Sequence, residues 1–312
     1  HSPQGEGWVL SVQHHQQQLH QGNAMPAITL DNITEAVINH GDKGKTNPRL
    51  HEIYSSLVKH LHAFQREVNL TTEELEIGRQ FLFKLATPNQ DFPMGEITLM
   101  TDCLGISETC VLLADDKNHG HGTTEMNVEG PLYFGALPER QQGDLIGEIV
   151  AGEKPLFVTH TVQDKNGKPL ANAIVDVWQP NGEGHYYVQR EELPEWNFYA
   201  RFRTDANGKL HFRTVVPGDY PVPTSGPTGS MLEQLGRHGY RACHIHYMIH
   251  AEGHPDFTTM MYFNHSPYVD SDTIFSVKDF RVDIAKHDDA AEIKAKGLDS
   301  AFYTLDYTFV VP

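Results

Sequence analysis

The sequence has little cysteine for its length, with 3 cysteines in 312 residues. Cys103, Cys110 and Cys243 are too few for a disulfide framework, which excludes the small secreted folds that depend on one. A chain of this length and aromatic content can bury a full core without covalent cross-links. The cysteine content therefore predicts a reducing compartment, and we expect a cytoplasmic protein.

Positive charge and long apolar runs are also scarce. Lys and Arg number 24 against 41 Asp and Glu, which gives a net charge of −17 with neutral histidines. Nucleic acids and anionic membranes would repel such a chain, so neither is expected as a partner. No apolar stretch reaches the length needed to cross a bilayer, and no membrane span is predicted.

Several catalytic signatures are absent. The sequence contains no phosphate-binding glycine loop, no G-x-S-x-G nucleophile turn and no alternation of strands and helices typical of a βαβ sheet. A zinc hydrolase that uses His119 and His121 is one alternative. No H-E-x-x-H motif supplies its general base, however, and the neighbouring glycines favour a solvated loop.

Residues 25–115 contain the helical periodicity of the chain, after a Gln- and His-rich segment, 1–24, that we interpret as a disordered leader. An apolar stripe with spacings of three and four residues predicts the clearest helix. Its members are Leu50, Ile53, Leu57, Leu61 and Phe64. A capping box formed by Thr71 and Glu74 begins a second helix, and residues 96–111 are predicted to form a third.

Residues 116–312 change to short strands separated by turns such as Asp164-Lys165-Asn166-Gly167. The strand candidates are residues 156–162, 173–178, 209–215, 243–250, 258–263, 280–284 and 303–311. That many short strands predict an antiparallel β-sandwich or barrel. We therefore assign the chain to the α+β class, with an N-terminal helical domain and a C-terminal β-sandwich domain.

The strongest chemical signal is a His-x-His pair in a strand-like run. His244 and His246 lie two residues apart, so a strand would place both imidazoles on one face. Tyr220 stands in a proline-stiffened loop upstream, and the adjacent Tyr186 and Tyr187 follow a glycine-rich turn. Two phenolates and two imidazoles form a hard, anionic site that suits Fe(III) better than zinc or a soft metal.

These segments resemble the intradiol ring-cleaving dioxygenases of the catechol 1,2-dioxygenase type. The matching stretches keep their order and spacing through the catalytic half. They are Gly167-Lys168-Pro169, Ala173-Ile174-Val175-Asp176-Val177-Trp178, Gly184-His185-Tyr186, Arg203-Thr204-Asp205, Val216-Pro217, Tyr220-Pro221-Val222-Pro223, Gly226-Pro227, Gly236-Arg237-His238, and Arg241 with His244 and His246. Looser similarity extends back to about Asn47, so the resemblance covers most of the chain.

The resemblance implies an Fe(III) centre with four protein ligands, which are Tyr186, Tyr220, His244 and His246. Tyr187 is the alternative to Tyr186. By the same resemblance, Tyr220 would be the axial ligand that leaves the metal and takes a substrate proton. Arg241 would stabilise negative charge on the reacting ring carbon.

The implied reaction is cleavage of a single-ring ortho-diol, catechol or hydroxyquinol, by O2 between the two hydroxylated carbons. The product is a cis,cis-muconate-type diacid. Protocatechuate is the alternative substrate of the same chemistry, and a non-catalytic transthyretin-like binding module is the alternative from another class. The resemblance also implies a homodimer formed through the N-terminal helices, where a lipid can be held.

Two departures from the family pattern affect the expected pocket. The position where a glutamine commonly supports the arginine is Met260, and a thioether cannot donate a hydrogen bond. The segment expected to border the substrate reads Glu129-Gly130-Pro131-Leu132 in place of the usual Leu-Gly-Pro-Phe. A carboxylate at Glu129 would repel a second anion, so we expect a neutral ring, or one with an extra hydroxyl, over protocatechuate.

Overall fold

The computed structural model describes residues 28–40, 47–87, 95–118 and 122–312. The predicted leader, residues 1–24, lies outside these ranges, as does the second His-x-His pair formed by His119 and His121. The chain divides into two compact units, one ending at Ile77 and the other beginning at Gly78.

The first unit contains the helices α1 (Ile33–Asn39) and α2 (Pro48–Glu67). Proline at the start of α2 and the Asn47 side chain, which accepts a hydrogen bond from the Leu50 amide, fix where this helix begins. The five predicted stripe residues of α2 are between 50% and 63% exposed. A helix normally buries such a stripe, but none of the described residues covers this face of α2.

Three further helices precede the strands: α3 (Thr72–Leu85), α4 (Glu96–Cys103) and α5 (Ile106–Asn118). The predicted capping box of α3 is confirmed. The Glu74 amide donates to the Thr71 hydroxyl at 3.1 Å, and the Thr71 amide donates to the Glu74 carboxylate at 2.9 Å. Two backbone donors at the helix start are thus satisfied.

The single helix predicted over residues 96–111 is wrong, because the chain breaks between α4 and α5. Gly105 adopts a φ of +71°, a left-handed conformation that ends a helix. Within the described residues no single helix is long and apolar enough to cross a membrane, and the α4–α5 pair, bent by 62°, passes on length and composition only. The domain boundary expected between residues 115 and 116 stays a prediction.

The second unit contains the strands, which in chain order are β1 (Pro155–Asp164), β2 (Ile174–Trp178), β3 (Tyr199–Arg203), β4 (Lys209–Val215), β5 (Tyr220–Pro221), β6 (Tyr240–Arg241), β7 (His244–His250), β8 (Phe257–Phe263), β9 (Arg281–Val282), β10 (Ala285–His287) and β11 (Phe302–Val311). They form a four-stranded sheet in the order β10-β11-β1-β4, a five-stranded sheet in the order β3-β2-β7-β8-β9, and the short ribbon β5-β6. Helix α6 (Pro227–Gln234) connects β5 to β6, and α7 (Ala290–Ala295) lies between β10 and β11.

The two large sheets pack against each other around one apolar core. Alternate side chains of each sheet point into it, among them Val158, Val162, Phe212, Phe309, Val175, Val177, Ile245 and Phe263. Burial of these side chains holds the sandwich together. The predicted α+β class, with helices before a two-sheet β-domain, is confirmed.

Strand pairing differs from the predicted antiparallel order at two places, because β1 pairs with β11 and β8 with β9 in parallel. Strand β3 was not predicted from the sequence, since two arginines interrupt its apolar pattern. Arg201 lies opposite Asp176 on β2, and its Nε is 2.6 Å from that carboxylate. A cross-strand ion pair therefore accommodates a charged side chain within this strand.

Candidate metal centre

Strand β7 places two imidazoles side by side within the five-stranded sheet. Side chains alternate along a strand, so His244 and His246 share one face while Tyr247 points into the core. The Tyr247 hydroxyl lies 2.9 Å from the Nε2 of His160 on β1. Both ligand candidates are buried, and flanking strands β2 and β8 fix their position.

Two tyrosines reach these histidines from separate segments. Tyr186 follows β2 through a turn with Gly184, whose φ is +85° and where a Cβ would collide with the Asp219 carbonyl oxygen. Tyr220 lies on β5, paired with Arg241 on β6. Glycine at 184 thus lets the Tyr186 loop pack against the segment that carries Tyr220, and the two phenol rings lie 5.5 Å apart.

Four donor atoms from these side chains meet in one buried space. The Tyr186 hydroxyl lies 3.2 Å from the His246 Nε2, which lies 3.2 Å from the His244 Nε2. The Tyr220 hydroxyl lies 3.4 Å from the same His244 nitrogen. Atoms that share one metal ion at about 2 Å and at roughly right angles are about 3 Å apart, so this spacing fits the ligands of a single ion.

The protonation of the imidazoles also fits a metal ligand. The His244 Nδ1 donates a hydrogen bond to the Ala242 carbonyl oxygen at 2.6 Å. The lone pair of this ring is therefore on Nε2, which faces the other candidate metal ligands. Burial lowers the pKa of His244 and His246 well below the ordinary range, and the Arg241 guanidinium lowers it further. Both rings are therefore neutral at pH 7, the form that binds a metal.

The Tyr186 phenol lies in an environment that a cation would balance. Burial raises the pKa of Tyr186 well above its ordinary range, and the neighbouring Tyr220 raises it further. A metal ion beside the oxygen would oppose both effects by stabilising the phenolate. A donor set of two oxygens and two nitrogens without sulfur fits a hard ion such as Fe(III).

The His246 ring is held by two neighbours. Trp178 stacks on it, with ring centroids 4.6 Å apart and an interplanar angle of 11°. A Cβ at Gly130 would lie 3.3 Å from the His246 Cε1, and the φ of +77° at this glycine is one that other residues rarely adopt. The backbone of the segment predicted to border the substrate therefore passes close to the His246 ring.

Arg241 lies beside the four donors and is itself buried. Its Nη1 is 3.2 Å from both the Tyr220 hydroxyl and the His244 Nε2. Burial opposes its charge, but Asp272 and the surrounding tyrosines, Tyr262 first, prevail and hold the pKa of the guanidinium well above its ordinary value. The arginine therefore brings a permanent positive charge to the edge of the centre.

Comparison with known proteins identifies the family. A family model described as Dioxygenase matches residues 128–310, and one described as Catechol dioxygenase N terminus matches residues 47–122. The chain is 36% identical over 247 residues to 6-chlorohydroxyquinol 1,2-dioxygenase of Cupriavidus pinatubonensis, covering 79% of this chain and 88% of that protein. The chain belongs to the intradiol ring-cleavage dioxygenases.

Two further relatives agree with this. Hydroxyquinol 1,2-dioxygenase of Rhizobium sp. is 35% identical over 270 residues, which cover 85% of this chain and 90% of the relative. The crystal structure of hydroxyquinol 1,2-dioxygenase from Pseudomonas putida DLL-E4 matches with a TM-score of 0.80 and 33% identity, covering 90% of this chain and 98% of that one. The predicted family and the assignment as an enzyme are confirmed, which removes the non-catalytic binding module.

Tyr187 does not lie with the four donor atoms of the dioxygenase. Its ring packs edge-on against Tyr199 with centroids 5.0 Å apart, and against Trp196 at 5.6 Å. The hydroxyl of the preceding residue, Tyr186, is the one near the histidines. Among the described residues, no group of three or more His, Cys, Asp and Glu is arranged to hold a metal.

The residues predicted to contact substrate, which are the Glu129–Leu132 segment and Met260, differ in their burial and in their contacts near the candidate metal centre of the dioxygenase. The Leu132 side chain packs on the cluster that contains Tyr186 and Tyr220, whereas Glu129 is exposed. Partial burial still raises the pKa of Glu129. Pro131 is half-buried, and the Met260 sulfur is fully buried beside Arg241, with Nη2 3.5 Å away. Contact of these residues with substrate stays a prediction.

Sequence reasoning missed three side chains that touch Arg241 in the dioxygenase: Tyr262, Asp272 and Ser276. Tyr262 lies two residues after Met260, so the strand period could have placed both on one face. Asp272 and Ser276 lie in the segment between β8 and β9. That segment has no periodicity from which their approach could be predicted.

Proposed function

We propose that the protein is an Fe(III)-dependent intradiol dioxygenase that cleaves catechol or hydroxyquinol with O2 between the two hydroxylated carbons. The product would be a cis,cis-muconate-type diacid. One observation carries the proposal: two phenol oxygens and two imidazole nitrogens meet at successive separations of 3.2, 3.2 and 3.4 Å next to a buried arginine.

The four donors Tyr186, Tyr220, His244 and His246 would hold the ion. When bound, ferric iron supplies a Lewis acid that holds the diol oxygens and makes the ring reactive towards O2. Tyr220 is the phenol among the ligand candidates that Arg241 contacts, at 3.2 Å, and its oxygen is the one we propose to accept a diol proton. The remaining three donors keep the centre assembled.

Arg241 would stabilise the negative charge that develops on the ring carbon during attack. Its guanidinium is buried, and a charge held in a water-poor site acts more strongly than one in solvent. The positive charge is present before substrate arrives, so no reorganisation is needed at the moment of reaction. The arginine therefore has a catalytic role in this proposal, distinct from metal binding.

Charge in the pocket supports a neutral ring over a carboxylated one. A carboxylate such as that of protocatechuate needs a cation or solvent. Two arginines that could approach the pocket are engaged elsewhere, since Arg201 is bound by Asp176 and Arg237 donates to the carbonyl oxygens of Cys103 and Thr273. Catechol and hydroxyquinol are for that reason the proposed substrates.

Oxygen uptake by iron-loaded protein, measured across catechol, hydroxyquinol and protocatechuate, tests the proposal. We expect consumption of O2 with one of the first two and a muconate-type product. The loaded protein should also be wine-red from tyrosinate-to-Fe(III) charge transfer. A colourless protein that binds zinc in stoichiometric amount and consumes no O2 with any of the three diols would refute the assignment.

We also propose a homodimer that forms through the exposed apolar stripe of α2. A second copy of the chain would cover side chains that a single chain leaves in water. We include in this proposal a lipid that binds at the same face of α2. A cytoplasmic location fits the three cysteines, which are all free.

A further inference from the structure

The guanidinium of Arg241 is anchored by side chains that are not metal ligands. We propose that Tyr262, Ser276 and Asp272 form a positioning network for this arginine, with Tyr262 as the principal member. The inference rests on the proposed function, in which Arg241 stabilises charge on the substrate. It goes further by assigning the residues that set the direction of that charge.

The contacts of the network are short and buried. Arg241 Nη2 donates to the Tyr262 hydroxyl at 2.5 Å and to the Ser276 hydroxyl at 2.7 Å. The two hydroxyls lie 2.5 Å from each other. The Asp272 carboxylate is 3.4 Å from the Arg241 Nε, and all four side chains are buried. Water therefore does not compete for these hydrogen bonds.

The donors and acceptors allow an arrangement of protons that satisfies the whole network. Arginine has no acceptor, so both hydroxyl oxygens accept from Nη2. The single proton of Tyr262 is then free for Ser276, and that of Ser276 is free for the Asp272 Oδ1 at 3.4 Å. The Asp272 Oδ2 in turn accepts from the Ala242 amide at 3.0 Å. The series ends on a carboxylate fixed to the backbone next to Arg241.

Met260 cannot take the place of Tyr262 as the anchor. Its sulfur lies 3.5 Å from Arg241 Nη2 and 3.1 Å from the Tyr262 hydroxyl, but a thioether is a weak acceptor. Strand β8 places Met260 opposite His246 and Tyr262 opposite His244. The register of the sheet thus places the Tyr262 phenol against Arg241, beside a methionine that is only a weak hydrogen-bond acceptor.

Anchoring one amino group directs the other. With Nη2 held by two hydroxyls, Nη1 remains 3.2 Å from the Tyr220 hydroxyl and from the His244 Nε2. A guanidinium is planar, so fixing one side of the fork fixes the plane. Without the Tyr262 oxygen the plane could tilt, and a displacement of about 1 Å can reduce a rate by about 100-fold.

The test compares Tyr262→Phe with Tyr247→Phe in iron-loaded protein. Both changes remove one buried hydroxyl from the five-stranded sheet, but the Tyr247 hydroxyl contacts His160 in the core. We expect Tyr262→Phe to lower kcat by about 10- to 100-fold with KM within about twofold. Iron content and the tyrosinate absorption band should be unchanged, and Tyr247→Phe should keep kcat within about twofold.

Two further variants separate positioning from a structural effect. In an Arg241→Met background, Tyr262→Phe should change kcat by less than about twofold, because the arginine through which it acts is gone. Met260→Gln introduces a stronger acceptor of nearly the same shape and should restore part of the activity lost in Tyr262→Phe. If Tyr262→Phe does not fold, Ser276→Ala carries the same expectation with a smaller loss.

The same loss in both arginine backgrounds, loss of iron from Tyr262→Phe, or equal kcat for the two phenylalanine variants would each overturn the positioning role. The proposed function fails separately, when the unmodified iron-loaded protein consumes no O2 with any diol. An active unmodified protein with an unaffected Tyr262→Phe variant would therefore refute the network and leave the intradiol chemistry intact.

Discussion

At the scale of single residues, the four candidate donor atoms divide in our proposal into three that would only hold the metal and one, the Tyr220 oxygen, that would also accept a proton. The imidazoles of His244 and His246 are neutral because burial lowers their pKa, so each offers a lone pair with which it can bind a metal. Tyr220 differs because its oxygen touches both the His244 Nε2 and the Arg241 Nη1. Because the Tyr220 phenol lies between the His244 imidazole and the Arg241 guanidinium, it can change its hydrogen-bond partner without leaving the pocket.

Tyr220→Phe and His244→Ala should therefore fail in different ways. We expect Tyr220→Phe to keep part of the iron and to lose about 100-fold or more in kcat, since a proton acceptor is removed. His244→Ala should lose most of the metal, because an alanine offers no donor. Metal analysis and oxygen uptake on both variants check this. Equal iron content and equal activity in the two proteins would show that the centre lies elsewhere.

Glu129 bears on the choice of substrate. Its carboxylate is exposed, next to Gly130, where an added Cβ would lie 3.3 Å from the His246 ring. We expect catechol or hydroxyquinol to show a higher kcat/KM than protocatechuate, and Glu129→Leu to narrow the gap by about threefold to tenfold, the effect of a charge screened by solvent. Glu252→Leu, an exposed change in the turn after β7, is the control. A preference of the unmodified protein for protocatechuate would contradict the ordering.

At the scale of elements, β1 carries a titratable side chain into the core between the two sheets. His160 on that strand is fully buried against Phe212, Phe309 and Tyr247. Burial lowers the pKa of His160 from 6.5 to about 3. Its folded-state pKa is depressed, so its contribution to stability is fully present above pH 6.5 and is lost as the pH falls towards 3.

His160→Gln should reduce the acid sensitivity of the fold. Glutamine can still accept from the Tyr247 hydroxyl but does not titrate. Between pH 7 and pH 5 the unmodified protein should lose about 2 kcal/mol of unfolding free energy more than the variant. Urea unfolding of both proteins at the two pH values measures the difference. The same loss in both would mean that other groups control the acid response.

Elements with local signals could be predicted from the sequence, and those that depend on distant partners could not. The His-x-His strand, the α2 stripe and the Thr71 capping box each rest on neighbours within a few residues. The unpredicted β3, by contrast, depends on a partner strand that is distant in the sequence. The break at Gly105 had a local signal, the glycine itself, which the prediction of one continuous helix overlooked. The Arg201 of β3 is acceptable there only because Asp176 lies opposite.

The candidate site divides in the same way. Its four donors and Arg241 could be named because they fall in compact motifs of a known family. The support of Arg241 could not, because Asp272 and Ser276 belong to an irregular segment that only the folded chain brings to the arginine. Met260 indicated that the usual support was missing without indicating what replaces it.

At the scale of the whole molecule, α2 exposes a continuous apolar stripe among the residues that the structure describes. Leu57 and Leu61 are 54% and 50% exposed, and Phe64 continues the same stripe at 50%. Exposure of that many large apolar side chains to water is unfavourable in free energy. The proposed dimer would remove this surface from solvent.

Leu57→Glu should therefore dissociate the dimer, because a carboxylate in an apolar contact carries an uncompensated desolvation cost. Ala63→Glu adds the same charge at an exposed position outside the stripe, roughly 120° around α2 from Leu57, and should leave the assembly intact. Sedimentation velocity of the three proteins at one concentration measures the outcome. A monomer in the unmodified protein, or equal behaviour of both variants, would contradict the proposed interface.

The stacking of Trp178 on His246 would give the protein an internal optical reporter of the proposed iron centre. An indole 4.6 Å from a ligand ring lies close enough to lose its excitation energy to a coloured iron centre. Occupancy of the centre would then appear as quenched emission from the protein itself, before any substrate is added. The fluorescence of Trp178 would thus report iron loading without an added dye or an activity assay.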